Sequence, residues 1–239
     1  RAYLKRVNEI TPLAGPLQTL NIQELPREVH KKGDHNGNFD ARHLLTPALE
    51  GHDVGLVSEA GMPAVADPGS SVVRAAHDLG IEVIPLTGPV SLLLALAASG
   101  LNGQNFAFVG YLPQDAAERA QRLRELEALA LKTGQTQLFI ETPYRNAALW
   151  DALLKGLQPS TRLARASGLT LPQMDVACRS VQSWRKQPAT VSGQPTVFAI
   201  GTALAGMGGV LQVSFLRVAA PASFTMLESI NMVLIVIIG

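Results

Sequence analysis

A chain of 239 residues, 47% apolar and 16% charged, has material for one large or two small domains and too much apolar surface to stay disordered. Its formal net charge of +1 supplies no global attraction to nucleic acid, so an RNA ligand has to be held by a local patch. The lone cysteine, Cys178, excludes an internal disulfide and a cysteine-built zinc site, and it suits a reducing cytoplasm.

The chain opens on RAYLKRVNEI, charged and without the apolar core of an export signal. Tyr3, Leu4 and Val7 share one helix face, and the pattern runs to the first residue, so the natural chain is expected to begin earlier. Leu17 to Leu25 reads as a strand. The polar stretch HKKGDHNGNFD reads as an exposed loop, punctuated by glycine and Asn/Asp residues. His30 and His35 flank Lys31 and Lys32 there, and the two ammonium groups favour a solvated loop over a metal site. Leu44, Leu45, Ala48 and Leu49 form the face of a following helix.

DVGLVSEAG is a short apolar run ended by turn residues, the pattern of a buried parallel strand. SSVVRAAHDLG reads as a helix closed by Gly80. IEVIPL is the next strand, and TGPVSLLLALAASG opens another helix. This alternation predicts a parallel sheet with crossover helices, with its ligand at the carboxyl ends of the strands. After Gly103 the character changes. FAFVGYL reads as a strand, residues 115–132 as a helix with a Glu118–Arg122 pair and a Leu123, Leu126, Leu129 stripe. QTQLFIETPYR is a strand ending in a turn, Ala147 to Leu157 a helix, RLARASGLTL a strand, and PTVFAIG the last one. The expected organisation is an N-terminal α/β domain over 1–105, a C-terminal α/β domain over 106–201 and an apolar tail over 202–239. From Met207 to Gly239 only Arg217 and Glu228 are charged. The closing MVLIVIIG is far short of the roughly 20 residues a membrane helix needs, and it reads as a buried strand or a non-native extension.

The densest chemical signal is Ser58 to Gly69, SEAGMPAVADPG. Gly61 and Gly69 remove side chains where a ligand or another backbone must approach. Pro63 and Pro68 fix the direction of the loop's amides and carbonyls. Asp67 is placed to cap the helix that follows, and Ser70 or Ser71 can serve the same end. Composition alone leaves two readings of equal weight, a ligand cradle or a long rigid loop. A second small-residue loop, Pro85 to Ser91, follows the next strand. No Gly-Lys-Ser/Thr follows either loop and no G-x-G-x-x-G fingerprint occurs, which argues against phosphoryl transfer and nicotinamide chemistry. A serine elbow, H-E-x-x-H and a Cys/His pair are also missing, removing the common hydrolases.

VSEAGMPAVADPG, PLTGPVSLLLALAASGL, GYLP and FIETPYRN, in that order, resemble successive motifs of the tetrapyrrole methylase superfamily. Within it they are most similar to the branch that methylates a cytidine ribose 2′-hydroxyl in bacterial small-subunit ribosomal RNA. The resemblance spans roughly residues 1–201. It implies two α/β domains, a homodimer, and S-adenosylmethionine in the cleft between the domains. By motif, Ser58, Glu59, Ala60, Gly61 and Pro63 line the cofactor, with Thr87, Gly88, Pro89, Val90 and Ser91 as the adjacent wall. Thr142 and Pro143 approach from the second domain, and Pro195 and Thr196 sit where the family contacts adenine. Glu59 and Glu141 are the candidate catalytic carboxylates, although Glu141 also reads as a structural partner of Arg145. Tyr144 and Arg145 can stack on and pair with an extruded nucleotide.

Glu59 stands where the ribosomal branch has Asp, and Thr142 and Tyr144 replace Ser and His in its E-S-P-H-R string. RAYLKRV matches only the helix that follows the superfamily's first strand and Gly/Pro-rich loop. The expectation is therefore a cytoplasmic S-adenosylmethionine-dependent methyltransferase of RNA, with no metal and no membrane association. The alternatives are methylation of a tetrapyrrole such as a precorrin, or a truncated, non-catalytic domain that dimerises.

Overall fold

Helical segments dominate the first part of the chain and a mixed sheet the second. The computed structural model describes residues 2–202 apart from 14, 27, 28, 30–38, 59, 60, 188 and 192. His30, His35, the tail over 203–239, and Glu59 and Ala60 of the first loop lie outside the described residues. The chain divides into two compact units, Arg1–Val90 and Ser91–Gly239, N-terminal to the change of character at 103–113.

The first unit contains α1 (Ala2–Ile10), short 3-10 turns at Leu17–Thr19 and Arg42–Leu45, α2 (Thr46–Leu49) and α3 (Ser70–Asp78). Ser71, Val72, Ala75 and Ala76 are buried along one face of α3. Val72, Ala75 and Ala76 meet Ala41 and Leu45 in a small core, with larger side chains such as Phe39, Leu56 and Leu79 packed against it but only partly buried. Helix α3 ends as its sequence implies. Gly80 adopts φ +70, its N–H reaches the His77 carbonyl at 3.1 Å, and the Ile81 N–H reaches Ala76 at 2.9 Å, the paired bonds of a Schellman stop.

Three strands expected here are not formed. Leu17–Leu25 holds a 3-10 turn, and neither residues 53–57 nor 81–86 belong to a strand. Apolar, β-branched sequence supplies the propensity for a strand, but the strand itself exists only through a ladder partner. Among the described residues of this unit no such partner is present. Val57, Ile84 and Leu86 are consequently 57%, 70% and 81% exposed, where a buried parallel sheet would have hidden them.

The second unit contains α4 (Ser91–Ser99), β1 (Phe106–Tyr111), α5 (Ala116–Thr133), β2 (Thr136–Glu141), a 3-10 turn at Pro143–Arg145, α6 (Asn146–Gly156), β3 (Arg162–Ser167), β4 (Asp175–Ser180), α7 (Val181–Lys186) and β5 (Thr196–Gly201). The strands form one sheet in the order β1-β2-β5-β3-β4. Only β1 and β2 run parallel. The β2–β5, β5–β3 and β3–β4 pairs are antiparallel, so the sheet is mixed rather than parallel throughout.

Side-chain alternation sends the two faces of the sheet to different cores. Phe139, Leu163, Phe198 and Ile200 join Leu123, Leu126, Leu149, Leu153, Trp150 and Trp184 from α5, α6 and α7. The intervening Leu138, Ala164, Ala166, Val197 and Ala199 are equally buried, and α4 packs against β3, β4 and β5. Helix α5 starts at Asp115, whose Oδ1 accepts the Ala117 and Glu118 N–H groups at 2.9 Å each, and stops at Gly134 in the left-handed region. Its buried positions are Leu123, Leu126, Glu127 and Ala130, while Leu129 is 41% exposed. The expected stripe is therefore rotated by one position. The ion pair on its surface is Arg122–Glu125 at 3.2 Å, three residues apart, in place of Glu118–Arg122.

Candidate functional site

In the second unit the strand register decides what is brought together. Glu141 at the end of β2 and Ser167 at the end of β3 both pair with Thr196 at the start of β5. One end of the sheet thus gathers Glu141, Thr142, Pro143, Pro195 and Thr196, all singled out by motif. The ETPYRN segment leaves β2 there and turns at once into the 3-10 turn and α6.

Glu141 is buried, and its Oε1 accepts the Thr142 N–H at 2.7 Å, the Thr142 hydroxyl at 3.2 Å and Arg145 Nε at 3.0 Å. Arg145 Nη2 completes the ion pair at 2.7 Å. The Thr142 carbonyl takes the Arg145 N–H at 2.9 Å. One carboxylate oxygen therefore ties together both ends of the turn, the structural role anticipated for Glu141. Tyr144 points away from this knot, 81% exposed, with the Arg145 guanidinium 5.6 Å from its ring centroid.

Beside the turn, Pro195 and Thr196 are joined to residues that motif reading gave no role, Asn146, Gln194 and Ser167. Asn146 Nδ2 donates to the Gln194 carbonyl at 2.9 Å and to Thr196 Oγ1 at 3.2 Å. The Thr196 hydroxyl also bonds the Gln194 carbonyl at 2.9 Å and Ser167 Oγ at 2.8 Å. Pro195 accepts the Gly168 N–H at 3.2 Å. Thr196 is fully engaged by these bonds, so anything that binds at this end meets its backbone and neighbours rather than a free hydroxyl. Asn146 is the last residue of the recognised string FIETPYRN and was within reach of the sequence. Ser167 was not, because only the β3–β5 register brings it here.

In the first unit, Ser58 and Asp67 brace the loop, with Ser58 Oγ donating to Asp67 Oδ2 at 2.6 Å. Asp67 is thus a strut and not the expected cap, because the N-cap of α3 is Gly69. Inside the loop the Ala64 N–H reaches Pro68 at 3.2 Å and the Val65 N–H reaches Met62 at 3.1 Å. Gly69, at φ +139, lies so close to its neighbours that a Cβ would stand 2.9 Å from Leu56 Cδ2 and 3.0 Å from the Ala64 nitrogen. A Cβ on Gly61 would come 3.2 Å from Asp67 Oδ2. Ala64 and Ala66 hold left-handed φ values of 64° and 60°, a conformation that costs non-glycine residues roughly 1–2 kcal/mol each. Two such residues in one loop mark a backbone fixed by its surroundings. The second loop is open by contrast: Thr87, Gly88 and Pro89 are exposed, and a Cβ on Gly88 would meet nothing within 4 Å. Val90 is half-buried, and Ser91 begins α4 in the second unit.

Among the described residues no group of three or more His, Cys, Asp or Glu side chains is placed to hold a metal ion, and no helix is long and apolar enough to cross a membrane.

Comparison with known proteins adds the following. A family model described as Tetrapyrrole (Corrin/Porphyrin) Methylases matches residues 2–180. The ribosomal RNA small subunit methyltransferase I of Halalkalibacterium halodurans is 36% identical over 135 residues, 56% of this chain and 45% of that protein. The protein of the same name from Vibrio cholerae is 38% identical over 137 residues, 57% of this chain and 46% of its own length. The chain therefore spans less than half the length of these relatives. The crystal structure of the methyltransferase CobJ superposes with a TM-score of 0.51 at 21% identity, covering 84% of this chain and 86% of that one. A conserved hypothetical protein from Aeropyrum pernix K1 gives 0.52 at 15% identity, covering 94% and 78%. Both show the same fold.

Proposed function

The chain belongs to the tetrapyrrole (corrin/porphyrin) methylases, and on that premise we propose that it transfers a methyl group from S-adenosylmethionine to RNA, at a ribose 2′-hydroxyl of small-subunit ribosomal RNA. The RNA acceptor is supported by identities of 36% and 38% to relatives named for ribosomal RNA. A homodimer in the cytoplasm goes with the same reading.

One observation carries it. The register of β2, β5 and β3 collects the motif residues Glu141, Thr142, Pro143, Pro195 and Thr196 at one end of one sheet. The residues present suit the donor: Gly88 leaves backbone bare, Gly61 makes room for Asp67, and the Ser58–Asp67 strut holds the first loop rigid. When bound, the donor supplies an electrophilic methyl on a sulfonium, whose charge vanishes as the methyl leaves. The task left to the chain is alignment, since an in-line displacement is accelerated mainly by holding donor and acceptor in reacting geometry. Ser58, Glu59, Ala60, Gly61 and Pro63, with Thr87 to Ser91, are assigned to the donor. Within the second unit, Thr142, Pro143, Pro195 and Thr196 present backbone and van der Waals surface at one end of the sheet. Tyr144 offers an exposed ring on which an extruded base can stack. Glu59 keeps the role of polar partner to donor or acceptor, and Glu141 acts as a positioning residue.

A second reading, a domain that folds without taking up the donor, draws on the exposure of Val57, Ile84 and Leu86 beside the donor loops. Calorimetric titration with S-adenosylmethionine separates the two, because heat of binding is expected and its absence at millimolar donor would establish the non-catalytic domain. Tritiated methyl transfer into small ribosomal subunits, set against a porphyrinogen pool, then tests the acceptor. Label in the porphyrinogen alone would overturn RNA.

A further inference from the structure

At the end of β3 and β4 remote from Ser167 lies a recess of about 340 Å³ that the donor site does not use. Arg162 begins β3, Arg179 and Ser180 end β4, and Ser183, Lys186 and Gln187 come from α7 and its end. Arg162 pairs with Ser180 and Ser167 with Asp175, so five strand steps, roughly 16–17 Å, separate the recess from the Thr196 end of the sheet.

Three cations line this recess, and among the described residues no carboxylate pairs with any of them. Each guanidinium carries five N–H donors. Arg162 Nη2 donates to the Cys178 carbonyl at 3.3 Å and the guanidinium also meets the Cys178 thiol, and Arg179 Nη1 donates to Gln187 Oε1 at 3.1 Å, so part of each fork is unspent. Arg179 is also fixed in place, its guanidinium 4.8 Å from the centroid of the Trp184 ring. Ser180 and Ser183 share a hydrogen bond of 2.8 Å, which leaves one hydroxyl proton over to donate. The remaining wall group adds no counter-charge, since burial pushes the Cys178 thiol above its ordinary value despite the neighbouring Arg162. Like charges gathered without a partner repel one another, and an anion in the recess relieves that repulsion. Two of the arginines of α5 are already engaged. Arg119 is bonded to the Gln114 carbonyl at 3.0 Å, and Arg122 is paired with Glu125.

We infer that this recess holds a phosphate group of the RNA strand, a phosphodiester gripped by Arg162, Arg179 and Lys186 away from the ribose that is methylated. The inference rests on the RNA reading above and deepens it by supplying the local patch that a net charge of +1 makes necessary. Such a contact is sequence-independent and sets the register of the strand.

Binding of a small-subunit RNA oligonucleotide to the full chain across a salt series, with inorganic phosphate as competitor, tests it. R162Q, R179Q and K186Q are each expected to weaken RNA binding roughly three- to ten-fold, and to flatten the salt dependence by about 0.7 per charge removed. S-adenosylmethionine affinity and the thermal midpoint should stay unchanged. K186Q alters an exposed lysine, so it keeps the test readable if R162Q lowers the midpoint. RNA binding equal to that of the unsubstituted chain in all three variants overturns the recess and leaves the RNA reading standing. An unsubstituted chain that binds no RNA overturns both, and phosphate binding lost in the variants would then identify a free anion as the ligand.

Discussion

Glu141 shows how a residue picked out for chemistry can be explained by its contacts. A general base must reach the proton it removes, whereas Glu141 Oε1 is surrounded by Thr142 and Arg145 at 2.7–3.2 Å. Glu141→Gln and Arg145→Gln are each expected to cost about 2–3 kcal/mol, less than a fully buried pair because Arg145 is partly exposed. The double variant should cost less than the sum of the two, with a coupling of roughly 1–2 kcal/mol in denaturant melts. A base would behave otherwise: Glu141→Gln would keep the midpoint and lose the methyl-transfer rate alone.

At the scale of the element, Asp115 is the clearest pH-sensitive device. Its carboxylate accepts the Ala117 and Glu118 amides, and those bonds hold it below the usual carboxylate range. A depressed value in the folded state means that the stabilisation is complete above the ordinary Asp range and is lost as the pH falls through the lowered value. Asp115→Ala should therefore melt earlier than the unsubstituted chain near neutral pH, with the gap closing in strong acid. A gap that persists there would show that the cap acts through something other than its charge. The elements also show what the sequence disclosed. Helices α3, α4, α5 and α6 and strands β1, β2, β3 and β5 were legible, because caps, stops and apolar runs are local signals. Residues 17–25, 53–57 and 81–86 misled because their apolar side chains report propensity while pairing is a tertiary matter. The donor loops could be read from small residues and prolines, but the Ser167–Thr196–Asn146 group depended on an antiparallel register that no local pattern encodes.

For the whole molecule, the two units differ in what holds them. The second carries a five-stranded sheet with large buried aromatics, including Phe139 stacked on Phe198 at 6.0 Å and Trp150 edge-on to Trp184 at 5.1 Å. The buried cluster of the first is Ala41, Leu45, Val72, Ala75 and Ala76, and its larger apolar side chains, Phe39 and Leu56 among them, are only partly buried against it. Burial of so few methyl groups resists opening less well than large aromatics do. Native-state hydrogen exchange should find the slowest amides in β2, β5 and β3, and those of α3 exchanging well before them. Equal protection across both units would show that they open as one.

The place of β5 in the sheet has a consequence for how the protein comes into being. It is the last described strand in the chain, yet it sits between β2 and β3, which do not pair with each other. Until residues 196–201 have been synthesised, β1–β2 and β3–β4 can form only as separate two-stranded pieces, which are marginal in water. The sheet, and with it the meeting of Glu141, Ser167 and Thr196, then closes in one late step across a long sequence separation, the kind of contact that slows folding. A growing chain thus acquires its helices early and this end of the sheet only when β5 slides into the gap kept for it.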